Sequence, residues 1–201
     1  MKNRKRCISY LLLPISLFFL SSCSNVDKYS INGKFVFTSS RTGNSIDVYV
    51  TKNGKTTLVA KRAYCPKWSP DGKAIACAVE GRFNETKKDG ILVISTDGKV
   101  KEFFETDSTP TQVNWDASGS VIYYALSRKD KPIYSDGIFS LNMANRTHSK
   151  VWSAEHNLRI TDISASPLGD KILFKTSELP LGIFLLDLKD KQTKYLATGV
   201  N

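Results

Sequence analysis

The sequence predicts an all-β protein: four small antiparallel sheets of four strands each, set around an axis as the blades of a propeller. Three observations carry that prediction. A glycine-marked turn returns four times along the chain. Each copy is followed by the same succession of apolar runs. No segment shows the apolar spacing of an amphipathic helix.

The turns come first. Lys28-Tyr29-Ser30-Ile31-Asn32-Gly33-Lys34 aligns without a gap on Lys67-Trp68-Ser69-Pro70-Asp71-Gly72-Lys73. A third copy reads Asn114-Trp115-Asp116-Ala117-Ser118-Gly119-Ser120, and a fourth Ser164-Ala165-Ser166-Pro167-Leu168-Gly169-Asp170. The glycines Gly33, Gly72, Gly119 and Gly169 are spaced by 39, 47 and 50 residues. Strand-only repeats of about 40–50 residues are the period of propeller blades. Pro70 presets φ for the second position of a type I turn and Asp71 suits the third. Gly72 then supplies the left-handed residue of a G1 bulge. A three-residue loop of this kind sets Ser69 opposite Lys73 and Cys65 opposite Cys77. Asn32-Gly33 makes a tight turn without proline.

The strands follow in order. After each turn comes "FVFTSS", "AIACAVE", "VIYYALS" or "KILFKTS". A variable polar loop leads to "IDVYVTK", "GILVIST", "GIFSLNM" or "GIFLLDL", and a short turn to "TTLVA", "KEFFET", "SKVWS" or "TKYLAT". With the strand before each turn, that makes four per unit, rich in β-branched and aromatic residues. The expected blades are about 29–61, 65–106, 111–154 and 161–198, within a domain of 29–201. Four blades leave three arrangements open: a closed ring, an open arc, or a partial propeller completed by another chain. An arc exposes its terminal sheets to unwanted pairing, which favours a ring or ring-like arc.

Trp68-Ser69-Pro70-Asp71-Gly72-Lys73-Ala74-Ile75-Ala76, followed by Ile91-Leu92-Val93-Ile94-Ser95-Thr96-Asp97-Gly98, resembles the repeat of the TolB-like β-propellers, also called the WD40-like PD40 repeat. Phe37 to Val50 resembles that family's loop between its second and third strands. The resemblance spans about residues 28–197. The third copy departs by losing Pro and Asp, the fourth by losing Asp and Trp. The resemblance implies a non-enzymatic module that binds proteins of the cell envelope. TolB-like propellers usually have six or seven blades, against four here.

The N-terminus points to export. Lys2, Arg4, Lys5 and Arg6 precede an apolar run of eleven residues from Tyr10 to Leu20. A permanent span needs about 20 apolar residues, so residues 1–22 read as a signal peptide. Leu20-Ser21-Ser22-Cys23 resembles a bacterial lipobox, which makes Cys23 the lipid attachment site and 23–28 a short tether. Each buried lipid CH₂ contributes about 0.8 kcal/mol, so several acyl chains hold the protein on a membrane. Ser24 lacks the Asp associated with inner-membrane retention. By resemblance to enterobacterial sorting, that implies the outer membrane, facing the periplasm; in a Gram-positive cell the same signal means the outer face of the plasma membrane.

The full chain carries a net charge of +10. Without residues 1–22, 25 basic residues face 19 acidic ones, a net of +6. The basic residues are scattered, with no stripe of the kind that tracks nucleic acid. Catalytic signatures are missing: there is no Gly-x-Ser-x-Gly elbow, and His148 and His156 lack zinc spacing. Asp71, Asp97 and Asp187 sit in turns, where lone carboxylates more often bond the local backbone than bind calcium. No metal or cofactor is expected. Glu80 and Asp162 are the conceivable acid and base of an alternative glycan- or peptide-processing enzyme. Asn84 and Asn145 head chance glycosylation triplets. Tyr29, Trp68 and Trp115 recur at one position of the first strand, either as packing between blades or as a channel lining, with packing preferred. Cys65 and Cys77 form a candidate disulfide pair in an exported compartment; the alternative is two buried thiols. The longest candidate binding loops are Glu80 to Asp89 and Ser127 to Asp136, both polar and lysine-rich.

Overall fold

The structure is a computed structural model describing residues 33–40, 45–81, 87–154, 157–177 and 181–197. The expected signal peptide, Cys23, Tyr29, His156 and Asn84 lie outside the described residues.

Among the described residues, fifteen strands form four separate antiparallel sheets. The first holds β1 (Lys34–Ser39), β2 (Asp47–Lys52) and β3 (Lys55–Ala60). The second holds β4 (Ala63–Trp68), β5 (Ala74–Val79), β6 (Gly90–Ser95) and β7 (Val100–Glu105). The third holds β8 (Pro110–Trp115), β9 (Val121–Ser127), β10 (Ser135–Asn142) and β11 (Thr147–Ser153). The fourth holds β12 (Ile160–Ala165), β13 (Lys171–Thr176), β14 (Gly182–Asp187) and β15 (Thr193–Ala197). Within each sheet, neighbours in space are neighbours in sequence. The leading strand of each new sheet packs on the preceding one, β4 on β1, β8 on β5 and β12 on β9. The result is a propeller arc of four blades whose ring is not closed.

The strands alternate their side chains between two faces, and three apolar cores result, one at each sheet junction. Ile75, Cys77 and Val79 point to the first sheet and join Val48, Val50 and Val59. Ala74, Ala76 and Ala78, on the opposite face of the same strand, meet Val113, Trp115 and Tyr124 of the third sheet. Ala125 and Ile138 meet Ile163, Ile172 and Phe174 of the fourth. β5 is therefore buried on both faces, which explains its unbroken apolar run. Burying one such Ile or Phe side chain contributes about 1.5–3 kcal/mol.

The repeated turns share one construction. The amides of Gly72, Gly119 and Gly169 donate to the carbonyls of Ser69, Asp116 and Ser166. All three glycines are left-handed, with φ of 66°, 73° and 71°. A side-chain oxygen at the first position closes each loop: Ser69 Oγ accepts from Ala74 N at 2.9 Å, Asp116 Oδ1 from Val121 N at 2.9 Å, and Ser166 Oγ from Lys171 N at 3.2 Å. Serine and aspartate are interchangeable there because either offers an acceptor.

The turn at Gly72 is one residue longer than its sequence suggested. Ser69 N bonds Ala74 O at 2.8 Å, and Trp68 pairs with Ile75. A bulge between Tyr64 and Lys67 restores the expected register further along the strand, with Cys65 at φ 49°. Comparable irregularities mark β8 and β12 at the same end. The bulge separates the candidate disulfide pair. Cys65 turns toward the third sheet, where its thiol donates to Thr111 O at 3.3 Å, while Cys77 lies in the core shared with the first sheet. Both thiols are free. A local register shift changes which face a side chain takes, as the period of two requires.

Candidate functional site

Because the strands run antiparallel, the repeated turns lie on one rim of the arc. The loops between second and third strands, and the connectors between blades, lie on the other. This second rim carries Glu80 and Gly81, Lys87 to Asp89, and Ser127 to Asp136.

Its backbone is held by polar latches between blades. Asp47, 1% exposed, accepts from Arg62 N at 2.9 Å, and Ile46 O accepts from Ala63 N at 3.0 Å. Asp89 accepts from Gly81 N at 2.5 Å and from the Thr109 hydroxyl at 2.9 Å. Ser135, 1% exposed, accepts from Ile160 N at 2.9 Å through its hydroxyl. In each case a side chain near the start of a blade's third strand satisfies a backbone or hydroxyl group of the connector to the next blade or of that blade's first strand. The sequence does mark these positions with Asp or Ser, but nothing local separates a buried latch from an ordinary loop residue.

Between the second and third sheets this rim opens into two adjoining cavities, of about 330 and 420 Å³. They share Asp107, Leu126, Phe139 and Lys150 and so form one groove. The connector after β7 brings Glu105 and Asp107; β9 and β10 supply the floor, Tyr124, Leu126 and Phe139; β11 supplies His148 and Lys150. Arg128 and Lys129, from the loop after β9, wall the second cavity. Such volumes fall within the range of ligand sites.

The groove's electrostatics follow from burial. Tyr124 is 1% exposed, and its hydroxyl lies 2.7 Å from His148 Nδ1, with the rings edge to face. Burial pushes the Tyr124 phenol above its ordinary range, and the Asp107 carboxylate adds to that. Burial also holds the His148 imidazole below its ordinary value, with Asp107 opposing. Lys150 Nζ lies 2.8 Å from Asp136 and 5.1 Å from the Phe139 ring centre. Glu105 pairs with Lys88 at 2.5 Å.

The other sequence candidates are dispersed. Asp162, on β12, pairs with Lys67 of β4 at 3.7 Å. Glu80 borders a different shallow cavity with Lys87, Asp89 and Thr109, in which Asp162 has no part. Asp71 accepts from Ser69 Oγ at 2.6 Å and Lys73 N at 3.1 Å. Asp97 accepts from the Ser95 hydroxyl, and Asp187 from Lys189 N at 2.9 Å. Among the described residues, no group of three His, Cys, Asp or Glu side chains is placed to hold a metal ion. Trp115 is 7% exposed in the core between second and third sheets, where its Nε1 donates to Lys67 O at 3.1 Å. Trp68 packs on the core between first and second sheets. Asn145 caps the turn before β11, accepting from Thr147 N at 3.2 Å.

Sequence inspection also passed over the glycines that open β6 and β14 and lie third in β10. A Cβ at Gly137 would sit 2.1 Å from Trp152 O; at Gly90, 2.4 Å from Phe104 O; at Gly182, 2.7 Å from Ala197 O. The outermost strand crosses each of them too closely for a side chain.

No family model matches the chain, and no curated protein does. Solved structures do match. TolB from Acinetobacter baumannii superposes with a TM-score of 0.64 at 14% identity, over 82% of this chain and 41% of its own. A candidate TolB from Agrobacterium tumefaciens gives 0.64 at 15% identity, over 81% of this chain and 60% of its own. A protein of unknown function from Bacteroides thetaiotaomicron gives 0.60 at 9% identity, over 82% of this chain and 40% of its own. This chain thus spans 40–60% of the length of those proteins. Over that span it has the fold of the TolB-type β-propellers.

Proposed function

We propose that the chain is an exported, lipid-anchored, non-enzymatic propeller that binds a protein partner of the cell envelope through its connector rim. The observation that carries this reading is the groove between the second and third sheets, open to solvent and framed by latched backbone. Rigid sheets that present loops at a rim are suited to recognition. The TolB-type fold supports the reading as fold-level analogy and supplies no specific partner. The lipobox at Leu20 to Cys23 supports export and membrane attachment. A photo-crosslinking residue placed at Lys129, on the groove wall, tests this in the native envelope, with the same probe at Lys55 in the opposite rim as control. A specific protein adduct from Lys129 and none from Lys55 is expected. Equal labelling from both positions, or no protein adduct, refutes the rim as the docking surface. Incorporation of labelled palmitate, abolished by Cys23→Ala, tests the anchor.

One observation favours a second reading, a partial propeller completed by another copy: the arc is open, and Leu173 on the outer face of the fourth sheet is 39% exposed. Against it, Lys171 and Lys175 stand where the second sheet has Ala74 and Ala78 at its junction with the third. Charged side chains at such positions resist sheet stacking. Mass in solution decides between them: a monomer supports the open arc, a dimer the completed ring.

A further inference from the structure

We infer that the groove between the second and third sheets receives a peptide segment that sets a basic side chain against Asp107 and an apolar side chain on the floor of Leu126 and Phe139. This rests on the protein-binding reading above and adds the chemistry of the partner.

The charge inventory of the first cavity leads to it. Glu105 is held by Lys88, and Lys150 by Asp136. His148 is hydrogen-bonded to Tyr124 and kept toward its neutral form by burial. Asp107 has no hydrogen bond or ion pair among the described residues, yet it lines both cavities. The cavity therefore presents an uncompensated carboxylate at its junction with the second. A guanidinium or ammonium delivered there forms a charge-assisted hydrogen bond. Beside Asp107 the floor is apolar: Leu126 is 4% exposed, and Phe139 is half-buried. The Phe139 ring already has the Lys150 ammonium over it, so its environment accepts a cation.

The second cavity limits the charge of the occupant. Lys129, exposed on its wall, has no ion-pair partner among the described residues. A second basic side chain at that end meets a like charge, which disfavours uniformly basic segments. The preferred occupant carries one basic residue, set at Asp107, and an apolar residue beside it. The two cavities adjoin through Asp107, Leu126, Phe139 and Lys150, so one peptide segment can reach both.

Titrating the ¹⁵N-labelled full chain, in mild detergent, with acetyl-Leu-Ala-Arg-amide tests the inference. Saturable shifts at Asp107, Leu126 and Phe139 are expected. Acetyl-Leu-Ala-Glu-amide and acetyl-Ser-Ala-Arg-amide should bind at least about fivefold more weakly. Asp107→Asn should weaken the arginine peptide about fivefold, and Asp107→Glu should retain it, as expected for a partly exposed ion pair. No saturable shift, shifts elsewhere on the surface, or an Asp107→Asn variant that binds like the parent each overturns it. The two readings fail separately. If crosslinking from Lys129 captures a partner whose docked segment lacks a basic residue, this inference falls and the protein-binding reading stands. If the rim captures no protein, the broader reading falls.

Discussion

Replacing Gly137 by alanine should destabilise the propeller far more than the same change at Gly169, although both glycines have positive φ. Gly137 has φ 155°, and a Cβ there would lie 2.1 Å from Trp152 O, 3.1 Å from Trp152 C and 3.2 Å from Ser153 Cα. Gly169 has φ 71° and nothing within 4 Å of the added atom. At Gly169 the cost is backbone conformation alone, about 1 kcal/mol. At Gly137 the outer strand β11 must retreat by roughly 1 Å to restore van der Waals contact, straining the ladder that pairs Gly137 with Ser153 and Ile138 with Trp152. Overpacking of this kind costs about 1–3 kcal/mol, for a total of about 2–4 kcal/mol with the conformational part. Urea unfolding followed by tryptophan fluorescence reads the difference. With a slope of about 2 kcal/mol/M, the midpoint should fall by about 1–2 M for Gly137→Ala and about 0.5 M for Gly169→Ala. Equal shifts in the two variants would show that close approach of the outer strand is not what selects glycine near the start of β10.

Trp115→Phe removes the indole bond to Lys67 O in the core between blades and should cost about 1–3 kcal/mol in the same assay; an unchanged midpoint counts against Trp115 as an inter-blade tie. Asp47→Ala leaves the Arg62 amide without its 2.9 Å acceptor and should cost about 1–3 kcal/mol, with Asp47→Asn milder; faster amide exchange at Arg62 and Ala63 checks that the loss is local. His148 contributes a pH dependence of known sign. Its folded pKa is depressed by burial, so the unfolded chain takes up the proton first as pH falls. The stability is complete above the ordinary value of about 6.5 and is lost as pH drops through the folded one. The urea midpoint should therefore fall less between pH 7.5 and 5 in His148→Gln than in the parent, and an identical fall refutes the assignment. Burial pushes the Cys77 thiol up to about 12, so iodoacetamide at pH 8 should label Cys77 only after unfolding, read by peptide mass; rapid labelling in the folded protein contradicts its place in the core.

The order and type of the strands were legible because the signals are local. A Pro-Asp-Gly turn needs only its own four residues, and alternation along "KILFKTS" needs only the period of two. Trp68 and Trp115 recur at one position of the repeat, and each packs in or against an apolar core between blades. Register was less legible. The loop after Ser69 closes through its hydroxyl and is one residue longer than the turn motif implies, and the bulge at Cys65 then corrects the slip. That pair of shifts sends Cys65 and Cys77 to opposite faces, an outcome fixed by backbone hydrogen bonds that residue identity does not reveal.

By itself, then, the amino-acid order determined four repeated antiparallel units, because turn chemistry and alternation act over a few residues. Tertiary structure decided that the ring stays open, which glycines lie beneath a crossing strand, and that Asp107, Tyr124 and His148, from three parts of the chain, border one groove. Those features depend on which sheet faces meet, and a face has no meaning until its neighbour is in place.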